Sequence, residues 1–160
     1  MGHCIQLIVT PSSAAADLTG QWTALQSLEC DNGYTLFPVD SELIDARIGT
    51  TAYPTNDGEG FLLLTPAFRD VLRSLSRAMQ LAYIETDYFG GQGGQGAMVC
   101  RNGKEILSPC WKNADVINTA LRMIGVKRRS LDDEFHILGL QHFRSNEDLL
   151  DKISKSQRDR

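Results

Sequence analysis

The segment from Tyr83 to Cys100, YIETDYFGGQGGQGAMVC, decides the fold of this 160-residue chain. Five of the seven residues from 90 to 96 are glycine, and most of the residues on either side are apolar, aromatic or β-branched. Such flanking residues predict strands. Glycine lacks a Cβ atom, so it permits positive φ angles and close packing between neighbouring parts of the chain. The segment therefore predicts two strands joined by a glycine-rich connection.

The same glycines also have the spacing of a phosphate-binding loop, because Gly91, Gly93 and Gly96 match G-x-G-x-x-G. In dinucleotide sites these glycines follow a strand and open a helix, whose N-terminus holds the pyrophosphate. Here the next residues read AMVCRNGKEIL, which predicts two short strands around an Asn102-Gly103 turn. This context disfavours a dinucleotide site. A small-ligand or nucleotide-binding protein, or an enzyme, that uses the glycine loop 90–96 remains the alternative.

The rest of the chain predicts further strands and helices with apolar faces. Strands are expected near Ile5, Leu36, Ile84, Val99 and Ile106, and helices near Trp22, Leu72 and Leu121. The irregular spacing of these elements does not form repeated βαβ units. We expect a single α+β domain over residues 1–160, with a mainly antiparallel sheet packed against about three helices. A frayed tail is expected from about residue 153.

Local signals place individual boundaries. Thr65 followed by Pro66 predicts the start of the clearest helix. Ser41 and Asn113 are predicted to cap two other helices. The polar run TTAYPTNDGEG over residues 50–60 predicts a loop, and it is the candidate for a mobile segment.

Composition indicates an ordinary globular protein, with 42% apolar and 22% charged residues. The net charge of −4 does not give the basic field of a nucleic-acid binder. The longest aliphatic run, Leu62–Leu64, is far shorter than the roughly 18 residues that cross a bilayer. The start MGHCIQLIVT lacks the cationic and long apolar regions of a secretory signal. We expect a cytoplasmic protein with no nucleic-acid or membrane partner.

Catalytic patterns are weak in this sequence. Glu85 and Asp87 fall on one face of a strand, which suits either acid–base chemistry or the solvent-facing side of a sheet edge. The run from Asp132 to His136 holds metal-capable side chains, but acidic residues are also typical of a first helical turn. No nucleophile motif is present. The sequence favours a protein that uses no catalytic residues, metal or cofactor.

Aromatic and acidic residues beside the two loops predict a partner-binding surface. Tyr88 and Phe89 precede the glycines and suit interface anchors, although both are also typical of a core. Acidic residues beside them favour a basic partner. The partner-binding candidates are Asp57, Glu59, Glu85, Asp87, Tyr88, Phe89, Gly91, Gln92, Gly93 and Gln95.

Four segments between Phe61 and Leu150 carry a resemblance to a known class of proteins. They read FLLLTPAF, AYIETDYFGGQGGQGA, INTALRMIGV and DEFHILGL. This succession resembles small uncharacterised bacterial proteins of the polymorphic toxin–immunity type. The resemblance covers a little over half of the chain, and the first sixty residues lie outside it. It implies a cytoplasmic protein that protects a cell by binding a protein partner, with no cofactor.

Overall fold

The computed structural model describes residues 2–49 and 60–159. Within these two ranges, six strands and six α-helices follow one another along the chain. Their order is β1 (Gln6–Pro11), α1 (Ala15–Gln21), β2 (Leu28–Glu29), β3 (Tyr34–Pro38), α2 (Ser41–Ile48), α3 (Pro66–Leu75), β4 (Gln80–Phe89), β5 (Gln92–Arg101), β6 (Lys104–Lys112), α4 (Val116–Met123), α5 (Glu134–Ile137) and α6 (Asn146–Arg158). Short 3₁₀ helices cover Ser12–Ala14, Ser76–Ala78 and Leu140–His142.

The six strands form one sheet in the order β2-β3-β1-β4-β5-β6, and every neighbouring pair is antiparallel. The predicted α+β class with a mainly antiparallel sheet is therefore confirmed. β1 is an interior strand, with Leu7 opposite Pro38 of β3 and Ile84 of β4. Asn102 and Gly103 turn β5 into β6 with φ values of 53° and 79°. Two positive φ angles are typical of the predicted two-residue hairpin turn.

Helices cover both faces of the sheet, so the protein has three layers. Successive side chains on a strand point to opposite faces, and each face here needs its own cover. Ile84 packs with Leu121 of α4 and Leu149 of α6 on one face. Tyr83 packs with Leu72 of α3 on the other face, which α1 and α2 also cover. The helices predicted near Leu72 and Leu121 thus pack on opposite sides of the sheet.

The start of α3 agrees with the local prediction. The Thr65 hydroxyl accepts a hydrogen bond from the Phe68 amide at 3.1 Å, and Pro66 is the first helical residue. Phe68, Leu72 and Leu75 are fully buried along one side of the helix. Thr65 satisfies an amide that would otherwise lack a partner, because the first four amides of a helix have no carbonyl acceptor within it.

Three boundary predictions are wrong. The helix predicted near Trp22 ends at Gln21, and Trp22 itself lies outside helical geometry with its ring buried. Asp40, not Ser41, caps α2 by accepting from the Leu43 amide at 2.8 Å. The helix expected after Asn113 begins only at Val116.

The C-terminal segment is ordered further than predicted. Ser145 caps α6 by accepting from the Asp148 amide at 3.4 Å, and the helix continues to Arg158. The tail expected to fray from residue 153 is therefore helical, because Leu149 and Ile153 anchor α6 on the sheet. Most of the predicted loop 50–60 lies outside the described residues. Within the described part of the chain, no helix combines the length and apolarity needed to cross a membrane.

Candidate functional site

The glycine-rich segment forms the end of a long hairpin. β4 and β5 pair from Gln80 opposite Arg101 to Phe89 opposite Gln92, so only Gly90 and Gly91 lie in the turn. Their φ values of 60° and 79° suit a two-residue turn that few other residues adopt. The prediction that this segment joins two strands is confirmed. The connection is shorter than expected, because residues 92–96 belong to β5.

Packing explains the glycines that lie within β5. A Cβ atom on Gly94 would come within 2.4 Å of the Trp111 indole nitrogen, and one on Gly96 within 2.5 Å of both Phe61 and Trp111. The rings of Phe61 and Trp111 meet edge to face, with centroids 5.4 Å apart. The glycines therefore leave room for two aromatic rings to lie directly on the strand.

The surroundings of the glycines differ from those of a dinucleotide site. Residues 92–96 pair with β4, and Gln95 and Gly96 also pair with β6. β5 then continues to Arg101, so no helix follows Gly96. Backbone groups that form sheet hydrogen bonds are not available to cradle a phosphate.

Glu85 is a buried carboxylate with three hydrogen-bond donors. Its Oε1 accepts from the Leu62 amide at 2.7 Å, and its Oε2 accepts from the Leu63 amide at 3.1 Å and the Tyr83 hydroxyl at 2.7 Å. The side chain has no solvent exposure. The expectation of a solvent-facing Glu85 at a sheet edge is wrong, because β4 is an interior strand and Phe61–Leu64 cover this face. Glu85 instead fixes the chain that leads into α3.

Burial sets the protonation behaviour of this carboxyl group. Removal from water raises the pKa of Glu85 above its ordinary value of 4.5, and hydrogen bonds from Leu62, Tyr83 and Leu63 offset only part of that increase. Burial also raises the pKa of the Tyr83 hydroxyl, and the neighbouring Glu85 charge acts in the same direction. Ionisation of the Glu85 carboxyl group therefore requires more free energy in the folded protein than in the unfolded chain.

We expect the stability of the wild-type protein, relative to Glu85→Gln, to decrease as the pH rises. A raised folded-state pKa contributes stability that is fully present below the unfolded value of 4.5 and is lost as the pH rises through the folded value. Urea denaturation of both proteins from about pH 4 to about pH 8 measures this difference. A pH-independent difference between wild type and Glu85→Gln would contradict the expectation.

The other candidates that the structure describes gather at the end of the hairpin. Asp87, Gly91, Gln92 and Gly93 are exposed there. Phe89 is 79% exposed, so the interpretation of this residue as core is wrong. β4 is buried as far as Thr86, and Phe89 lies three residues further on, at the exposed end of the strand. The two remaining acidic candidates, Asp57 and Glu59, lie outside the described residues.

Tyr88 and Gln95 are half-buried on the opposite side of the hairpin from Phe89. The Tyr88 hydroxyl donates to the Asn113 carbonyl at 2.6 Å and accepts from the Gln95 amide nitrogen at 3.0 Å. The Gln95 carbonyl oxygen accepts from the Ile117 amide at 2.8 Å. These contacts fix the hairpin against the start of α4.

A cleft of about 300 Å³ lies beside these two side chains. Its lining residues are His3, Thr86, Tyr88, Gln95, Ala114, Asp115, Ile117, Asn118, Asp133 and Phe135. This cleft has no signature in the sequence, because its residues come from separate parts of the chain and share no motif. Acidic residues at helix starts, such as Asp115 and Asp133, do not show from sequence whether they line a cleft or only cap a helix.

Hydrogen bonds order the far wall of the cleft. Asn118 donates to Asp133 Oδ2 at 3.1 Å and accepts from the Phe135 amide at 2.9 Å. Asp133 Oδ1 accepts from the His136 amide at 2.9 Å, so Asp133 is the residue that caps α5. Partial burial alone would raise the pKa of Asp133, but hydrogen bonds from His136 and Asn118 hold the pKa below its ordinary value. Asp133 is therefore an anion at neutral pH.

Comparisons with protein-family models, curated proteins and solved structures found no match to this chain. The functional interpretation consequently depends on the hairpin, the cleft and the chemistry of their side chains.

Proposed function

We propose that this protein acts by stoichiometric, non-catalytic binding to another protein, and that the hairpin tip (residues 87–93) is a contact surface. The observation that carries the proposal is Phe89, which is 79% exposed at the end of a continuously paired two-stranded arm. An exposed aromatic side chain can supply much of the binding energy of an interface when a partner encloses it.

The base of the hairpin tip is held rigidly, which favours a role in binding. The His3 amide donates to the Tyr88 carbonyl and the Tyr88 amide donates to the His3 carbonyl, both at 2.9 Å. The side-chain contacts of Tyr88 and Gln95 add a second restraint. A hairpin backbone that is already ordered loses little conformational entropy on binding, so more of the contact energy appears as affinity.

The charge of the surface favours a basic partner. Asp87 is exposed beside Phe89, and the chain as a whole carries a net charge of −4. Complementary charges increase the association rate. Together with the resemblance of four segments to the toxin–immunity type, this supports an immunity-type protein that neutralises a basic toxin domain in the cytoplasm.

Phe89→Ala is expected to weaken partner binding by roughly thirtyfold, mainly through faster dissociation, because truncation of an interface anchor costs about 2 kcal/mol. The wild-type protein would first be used to recover a partner from its native host. Light scattering after size-exclusion chromatography would establish a one-to-one complex, and surface plasmon resonance would give both rates. Leu131→Ala, a change at another highly exposed apolar residue, is the matched control and should bind as wild type does.

A charge-reversal pair tests the electrostatic part of the same proposal. Asp87→Lys should slow association and reduce its salt dependence, whereas Asp151→Lys on the exposed side of α6 should have a smaller effect. Unchanged melting temperatures would show that all variants are folded. The proposal fails if Phe89→Ala binds the partner with wild-type rates. It also fails if the protein turns over a small molecule and no stable partner is recovered.

A further inference from the structure

The cleft beside the hairpin has an acidic and aromatic lining. Asp115 and Asp133 carry its negative charges, and no lysine or arginine is among the lining residues. Tyr88 and Phe135 provide aromatic surface. A volume of about 300 Å³ is at the lower end of the range for ligand sites, so the cleft suits one long side chain.

The polar groups around the cleft are ordered before any ligand binds. The carboxylate of Asp133 is oriented by Asn118 and His136, and Tyr88 is oriented by Asn113 and Gln95. A site whose side chains are already in place pays little entropy when it binds.

Asp115 provides a carboxylate at the exposed side of the cleft. It precedes α4 with a φ of 69°, and its side chain does not accept a capping hydrogen bond from that helix. Asp115 is exposed to solvent. Its carboxylate is therefore not committed to the end of α4 and can meet an incoming cation.

An anionic ligand is disfavoured, although two helices begin at this cleft. The Ile117 amide of α4 already donates to Gln95, and the Asp133 carboxylate already occupies the start of α5. Helix N-termini attract anions through amides that lack an acceptor. Here the Ile117 and His136 amides already have acceptors. The carboxylates of Asp115 and Asp133 would also repel a negative ligand.

We infer that this cleft receives an arginine side chain from the partner protein. The identity of the occupant as a partner residue rests on the proposed function. A guanidinium group is planar, so it can stack on the faces of Tyr88 and Phe135 while its N–H groups donate to carboxylates. A lysine ammonium has no such plane. The arginine would enter on the side of the hairpin opposite to Phe89, so that the partner holds the hairpin from both sides.

Nuclear magnetic resonance with a small probe tests the cleft directly. The ¹⁵N-labelled full chain would be titrated with N-acetyl-arginine amide and, separately, with N-acetyl-citrulline amide, its uncharged isostere. We expect saturable shifts of the Ile117, Asn118 and Phe135 amides with the arginine probe at concentrations on the order of millimolar. The citrulline probe should give much weaker shifts, because it lacks the positive charge.

Asp115→Asn provides the matched variant, because asparagine tolerates positive φ and preserves the backbone. It should weaken binding of the arginine probe by roughly threefold to fivefold, as expected for one exposed charge pair. Asp151→Asn removes an equal charge elsewhere and should leave binding unchanged.

The arginine cleft is overturned if no saturable shifts occur, if citrulline and arginine probes bind equally, or if the shifts map away from the cleft. These measurements need no partner protein. A negative result would therefore leave the hairpin-tip proposal standing. If Phe89→Ala bound the partner protein with wild-type affinity, the hairpin-tip proposal would be rejected. The result obtained with the arginine probe would still stand.

Discussion

Glu85→Ala is expected to destabilise the fold by roughly 3 to 5 kcal/mol, the largest effect of any single side-chain truncation considered for this protein. The substitution leaves the Leu62 and Leu63 amides and the Tyr83 hydroxyl without their acceptor in a buried region. Each buried polar group without a partner costs about 1 to 3 kcal/mol. Removal of a buried charge offsets part of this total. Urea denaturation, with the free energy of unfolding extrapolated to water, measures the change.

Asp87→Ala is the control for Glu85→Ala, because it removes a carboxylate from the same face of β4 at an exposed position. It should change the free energy of unfolding by no more than about 0.5 kcal/mol. If Glu85→Ala were as mild as this control, the carboxylate would not be anchoring Leu62 and Leu63. Glu85→Gln should lie between the two, because its amide retains one acceptor oxygen but places a donor near the others.

Gly96→Val is expected to destabilise the protein by roughly 3 kcal/mol, because overpacking at a filled position forces neighbours from their preferred conformations. Even the first added carbon would lie 2.5 Å from both Phe61 and Trp111. The two rings pack edge to face, so displacement of either one changes their mutual contact. Thermal and urea denaturation of the variant measure the loss.

Gly20→Ala is the matched control, since it also adds a Cβ atom to a glycine but meets nothing within 4 Å. Gly20 lies inside α1, where alanine is favoured by about 1 kcal/mol over glycine. The control should therefore be neutral or stabilising. A loss below about 1 kcal/mol for Gly96→Val would show that the aromatic rings adjust freely, contrary to the packing argument.

Elements with local chemical signals could be predicted from the sequence. Asn102-Gly103 demands a tight turn whatever surrounds it, and Thr65-Pro66 suits the start of a helix for reasons confined to four residues. Five of the six strands and the antiparallel class follow from such signals and from apolar runs, whereas β2 (Leu28–Glu29) was not predicted. The helix predicted near Trp22 was misplaced. Its apolar residues have helical spacing, but the helix ends at Gln21 and the Trp22 ring is buried from a non-helical position.

The candidate site was predicted only in part, because burial depends on contacts between distant segments. Strand alternation puts Glu85 and Asp87 on the same face, yet one is fully buried and the other exposed. The difference comes from Phe61–Leu64, whose position over β4 no local pattern reveals. The cleft illustrates the same limit, since His3 and Phe135 approach only in the folded chain, with ring centroids 5.6 Å apart.

The interior position of β1 has a consequence for the synthesis of the protein. β3 follows β1 closely along the chain, but β4, its other neighbour, comes only after α2 and α3. While the ribosome is producing that intervening stretch, one side of an apolar strand has unpaired N–H and C=O groups. An open strand edge of this kind can pair with other chains. We therefore expect this edge of β1 to stay open until Gln80–Phe89 has emerged to close the sheet.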